Sequence, residues 1–202
     1  MVCALDLSQS QSAKTIVEGA LQRFGRIDAL LNIAGAVSQI DLFQMTAAQW
    51  DDGMALKLHG ARRLTIEAWN ALKSSQGSVV FISGTAAFHP KPGYAAVATI
   101  NAAINALAKA FAEQGITDGV QVNSVSPGAV MTGRRRGFFE KWAPVHNLTV
   151  EEAIKKFPEQ AGITRLGKPE EIADLISYLV SPAAKWMTGA AVRMDGGEIK
   201  GI

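Results

Sequence analysis

Ile27-Asp28-Ala29-Leu30-Leu31-Asn32-Ile33-Ala34-Gly35 is a short, almost unbroken apolar run that closes on an amide and two small residues. Such a run, too short for a helix and not alternating, reads as a strand buried on both faces of a parallel sheet. Working outward, the same pattern recurs. Val2–Leu5, Ser78–Ser83, Val120–Val125 and Ala190–Met194 read as further strands. Between them lie helical patterns. Ser12–Phe24 has apolar residues at helical spacing and stops at Gly25, a suitable C-terminal glycine. Thr46-Ala47-Ala48-Gln49 reads as a capping box opening a helix to about Lys73. Tyr94–Gln114 is an alanine-rich helix, and Pro169–Val180 starts on a proline. Residues 133–166, with Arg134-Arg135-Arg136, Phe138-Phe139 and Trp142, break the rhythm as a helical or irregular insertion, expected to form a substrate lid. Strands alternating with helices predict an α/β protein with a doubly wound parallel sheet, in a single domain over 1–202.

The bulk properties narrow the function. With 202 residues, 48% hydrophobic, the chain is long enough to bury a core. A net charge of +2 offers no broad attraction to nucleic acid or to a membrane surface. Cys3 is the single cysteine, which excludes a disulfide framework and a cysteine zinc site. No group of His, Asp and Glu has metal-ligand spacing. Met1–Asp6 lacks the pattern of a signal peptide and no run reaches the length of a membrane span. The expectation is a soluble, cytoplasmic protein in a reducing compartment.

In such sheets ligands bind outside the carboxyl ends of the strands, so the residues that follow each strand carry the functional signal. These are Asn32-Ile33-Ala34-Gly35, then Ser83-Gly84-Thr85 with Tyr94 beyond, then Asn123-Ser124-Val125-Ser126-Pro127-Gly128 with Thr132. The tail adds Arg165-Leu166-Gly167-Lys168-Pro169-Glu170-Glu171 and Thr188-Gly189 to Asp195-Gly196-Gly197. From Asp6 to the C-terminus these motifs, in this order, resemble the short-chain dehydrogenase/reductase family. The resemblance implies NAD or NADP as cofactor, with no preference legible. It implies that Asp6 accepts a hydrogen bond from the adenine. Asn32, Ala34 and Gly35 would lie against the adenosine half, Pro127-Gly128 would pass beneath the nicotinamide, and Thr132 would reach its carboxamide or phosphate. Asp6 is open to a second reading, an acid at a helix entry, and the glycines to one as ordinary turn residues.

Two departures stand out. The family's opening strand, Gly-rich turn and helix, which cradle a pyrophosphate, do not precede Asp6. Two βα units of about 30 residues each are missing, so the sheet is expected to have an unpaired edge. The chain reads as a shortened or internally started product, or a fragment, that binds a dinucleotide poorly. The second departure concerns the Ser, Tyr, Lys and Asn that the resemblance implies as catalytic. Aligned on the strand end and on Asn101, the serine place is Gly84, the tyrosine place Val97, the lysine place Asn101 and the asparagine place Lys57. Aligned instead on Tyr94, the lysine place is Ala98.

A relocated site is therefore expected, in which Tyr94 donates the proton, Lys57 supplies the positive charge and Ser83 or Thr85 positions a carbonyl. A cation within ~4–6 Å would favour the phenolate. The alternative is that Tyr94 packs at a helix start and Lys57 extends to solvent. His59 reads as packing or surface, while His89, Lys91 and Arg134–Arg136 are either solvated or greet an anion. The expected activity is interconversion of a small-molecule carbonyl and a secondary alcohol by hydride transfer. The alternative is a non-catalytic remnant that pairs with intact relatives. The long helices, with Ala102, Ala103, Ala106 and Ala110 on one face, predict a homodimer or homotetramer.

Overall fold

The computed structural model describes residues 1–201. Four parallel strands form one sheet in the order β1 (Ala29–Asn32), β2 (Ser78–Ile82), β3 (Gln121–Pro127) and β4 (Ala191–Met194). The register runs Ala29 to Ser78, Ser78 to Gln121 and Ser124 to Ala191. Every crossover is long enough to hold a helix, as parallel pairing requires. The helices are α1 (Ser12–Phe24), α2 (Ala47–Gly53), α3 (Ala61–Ser75), α4 (Ala95–Asp118), α5 (Gly133–Val145), α6 (Val150–Ala161) and α7 (Pro169–Leu179).

The central strands β2 and β3 are buried almost throughout. On one side α1, α3 and α4 close over them around Val79, Phe81, Val122, Leu72, Ile104 and Ala108. On the other, Ile176 and Leu179 of α7 pack on Val80 and Val125. A fully buried Phe81 side chain stabilises by about 2–3 kcal/mol. By length and composition α4 could cross a membrane. Here its Ile104, Ala108 and Ala112 pack into the larger core, and its Ala96 and Ile100 into a smaller cluster with Val37.

Local signals hold where they are local. Gly25 ends α1 with φ 76°, and its N–H bonds to the Leu21 carbonyl. Thr46 and Gln49 form the reciprocal capping box at α2, and Pro169 opens α7. The helix expected from Thr46 to Lys73 winds without a break from Ala47 to Ser75, with a π-helical stretch, Met54–Gly60, between α2 and α3. Residues 133–166 fold as α5 and α6 around their own cluster of Phe139, Ala143 and Ala153.

Val2–Leu5 is not a strand; the residues are exposed and irregular. A strand needs a ladder partner, and among the described residues the run has none, since β1 pairs with β2 alone. β1 is accordingly an edge strand, with Leu31 41% exposed and Ile33, just beyond it, 58% exposed.

Candidate active site

The carboxyl ends of β1, β2 and β3 bring four chain segments together. Lys57 enters from the π-helical stretch, whose wider winding is a frequent mark of functional positions. Its Nζ donates to Asn101 Oδ1 at 2.5 Å and to the Ser83 carbonyl at 3.1 Å. Asn101 comes from α4 and is buried. Ser83, directly after β2, donates its hydroxyl to the Asn101 carbonyl at 2.8 Å. Two glycines make room for this knot. A Cβ at Gly35 would lie 3.0 Å from Lys57 Cδ, and one at Gly84 only 2.7 Å from Asn101 Nδ2. A serine at 84 and the present Asn101 conformation are therefore mutually exclusive.

The ammonium expected on α4 thus comes from the neighbouring helix, and the amide expected there now sits on α4. The two polar groups have traded places and face each other. Burial, and secondarily the positive charge of Arg134, push the Lys57 ammonium down from 10.5 to about 8. Nζ carries three protons, two of which are committed to neutral acceptors.

Tyr94 is elsewhere. Its hydroxyl donates to the His89 carbonyl at 3.2 Å, and no hydrogen bond joins it to Lys57. Burial and the nearby Glu198 carboxylate raise its pKa, the reverse of the shift expected from a neighbouring cation. The cause is local. Tyr94 ends a 3-10 turn (Pro92–Tyr94) and precedes α4 with φ −149°, so the helical periodicity that aligned it with Asn101 does not reach it. The Ser83 hydroxyl is buried and occupied by the backbone, and Thr85 Oγ1 lies 3.4 Å from Glu198 Oε2. Of the three predicted catalytic side chains, the structure joins Lys57 and Ser83, through Asn101, and leaves Tyr94 outside.

The predicted cofactor residues divide in the same way. Asp6 accepts from the Ser8 N–H and hydroxyl, both at 2.8 Å, which lowers its pKa and makes it part of the turn entering α1. Asn32 donates to Thr65 Oγ1 at 3.0 Å, tying β1 to α3. Ala34 and Gly35 are exposed, and Pro127 and Gly128 half-buried, so these four form an open floor at the strand ends. Thr132 caps α5, its hydroxyl accepting from the Arg135 N–H at 3.2 Å. Two residues at the crevice had no role in the sequence reading. Asn101 entered it only as the place of an absent lysine, and Glu198, brought against Thr85 from the far end of the chain, carries no sequence signal. Three buried polar atoms lack a partner among the described residues: His59 Nδ1, Arg63 Nε and Ser126 Oγ.

Comparison with known proteins agrees with this architecture. A family model described as enoyl-(acyl carrier protein) reductase matches residues 1–198. The chain is 29% identical over 194 residues to the 3-oxoacyl-[acyl-carrier-protein] reductase FabG of Thermotoga maritima, covering 96% of this chain and 74% of that one. An uncharacterized oxidoreductase of the same organism is 30% identical over 189 residues, covering 93% and 73%. Among solved structures, a short-chain dehydrogenase/reductase from Brucella melitensis, of the glucose/ribitol dehydrogenase type, superposes with a TM-score of 0.85 at 28% identity, over 98% of this chain and 76% of that one. The L-sorbose reductase of Gluconobacter frateurii, solved with NADPH and L-sorbose, shares the fold with a TM-score of 0.93 at 23% identity, with the same coverage. The chain belongs to the short-chain dehydrogenase/reductase family.

Proposed function

We propose that this protein is an NAD(P)-dependent oxidoreductase, interconverting a carbonyl and a secondary alcohol at the carboxyl ends of β1, β2 and β3. The observation that carries the reading is the Lys57 ammonium, half-buried and fixed by Asn101 and Ser83, with one proton uncommitted. The nicotinamide, when bound, supplies or accepts the hydride. Ala34, Gly35, Pro127 and Gly128 fit the flat faces of a dinucleotide because they leave the strand ends open. Thr132 would meet the carboxamide, and Asn32 keeps the β1 end in place. Asp6 is engaged with Ser8 and would have to release it to reach an adenine.

Lys57 is the group that holds and moves the proton. Poised near 8, it is charged at neutral pH and close enough to it to exchange. The protein acts in the cytoplasm as a homo-oligomer joined through the outer faces of α3 and α4. Ile66, Trp69, Leu107, Ala110 and Phe111 line an apolar groove there.

Fluorescence titration with NADH and NADPH, followed by oxidation of the reduced cofactor over a carbonyl panel, tests the assignment. Lys57→Met is expected to cut turnover ~10²-fold or more, while Tyr94→Phe leaves it within about threefold. Absence of binding by either dinucleotide would overturn the reading. Binding without turnover would favour a non-catalytic partner subunit. Two observations support that second reading: Val97 stands at the tyrosine place, and the Ser83 hydroxyl is spent on the backbone.

A further inference from the structure

The crevice carries Lys57, Arg134 and the carboxylate of Glu198. Among the described residues, neither Lys57 nor Arg134 forms an ion pair. The neighbours of Arg134 are accounted for. Arg135 lies over the rings of Phe138 and Phe157, at 5.3 and 5.5 Å, and feels the charge of Glu198. Arg136 pairs with Glu140 at 3.8 Å and Glu151 at 3.4 Å. Arg134 alone of the three reaches back across the crevice, donating Nη2 to the Val37 carbonyl at 2.8 Å. That loop follows β1, and Val37 lies against Gly53, one turn before Lys57 on the chain. Arg134 therefore bridges α5 to the wall that carries Lys57, and it is close enough for its charge to act on the Lys57 ammonium.

Arg134 is exposed and screened by solvent, but the half-buried Lys57 ammonium is disfavoured by the like charge of Arg134 unless something offsets it. The local hydrogen bonds do not, since the acceptors of Lys57 and Arg134 are all neutral: two backbone carbonyls and an amide. Arg134 has four N–H donors beyond the one on Val37, in the planar fork that suits a carboxylate or a phosphate. Glu198, an acid at the crevice, has its carboxylate 3.4 Å from Thr85 Oγ1 and acts on Arg135.

We propose that the crevice binds an oxyanion of the substrate, a carboxylate or a phosphate, between the Lys57 ammonium and the Arg134 guanidinium. This rests on the oxidoreductase reading for its meaning, since it makes the substrate an oxo acid or a phosphorylated carbonyl compound. The binding event itself can be measured without it.

Thermal denaturation of the whole chain at constant ionic strength, with acetoacetate, methyl acetoacetate or glycerol phosphate, provides the test. One or both oxyanions should raise Tm by about 2–4 °C, and the neutral ester should not. Which of them acts separates a carboxylate site from a phosphate site. Arg134→Met and Lys57→Met should each abolish the shift, and Arg134→Lys should retain part of it. The proposal is overturned if neither oxyanion shifts Tm, if the ester shifts it equally, or if the shift survives Arg134→Met. It is overturned as well if saturating NADPH removes the shift, because the cations would then serve the dinucleotide. Failure of the redox reading shows up separately, as loss of dinucleotide binding, and leaves this oxyanion result standing.

Discussion

Lys57 and Asn101 are the residues on which the site turns. Folded, the ammonium titrates near 8 instead of 10.5, because burial and Arg134 disfavour its charge. The folded state therefore binds fewer protons than the unfolded chain between those two values, and stability contributed at this position rises with pH across that window. Below about 8 the cost of the buried charge is present in full. Urea denaturation from pH 7 to 10.5 should show that rise in the wild type, and a flatter profile in Lys57→Met; identical slopes would mean that Lys57 is solvated. The exchange itself was legible, because a lysine stood at the asparagine place and an asparagine at the lysine place. What could not be read was that they touch, which depends on how Met54–Gly60 is wound. The orientation of Tyr94 could not be read for a related reason. Sequence spacing places it on the α4 face of Asn101 only if it is helical, and it is not.

Among the elements, those that contain their own instructions were readable. Gly25, the Thr46–Gln49 box and Pro169 all mark ends where the sequence places them. Val2–Leu5 failed because strand formation is a property of pairs, not of a segment. The α5–α6 pair was anticipated only as a helical or irregular insertion; in the structure Thr149 and Glu152 form a second capping box, with Glu152 Oε2 accepting from the Thr149 N–H at 2.8 Å. Thr149→Ala should cost about 1 kcal/mol. Because α5 and α6 pack on their own Phe139–Ala153 cluster, that loss should be confined. Hydrogen exchange should accelerate across 150–161 and leave β2 and β3 unchanged; a matching loss of protection in those strands would show that the pair and the sheet unfold as one.

For the whole molecule, the alternation of strand and helix and the strand-end motifs sufficed for the fold, since a parallel sheet buried by helices has few alternative solutions. The crevice was less legible, because its charges come from segments as far apart as Lys57, Arg134 and Glu198. On the outer surface, Ile66 is half exposed beside Trp69, Leu107 and Phe111. Ile66→Glu should reduce the mass measured by light scattering to that of one chain, with the helical circular dichroism retained. An unchanged mass would move the assembly face elsewhere.

The π-helical turn at Met54–Gly60 has a mechanical corollary. Adding a residue to a turn offsets all that follows by roughly 100° about the axis. That offset sets where Lys57 points and, a few residues on, which side of α3 presents Ile66 and Trp69. Straightening the segment would swing both together, so the Lys57 ammonium and the apolar groove are geared to one shaft.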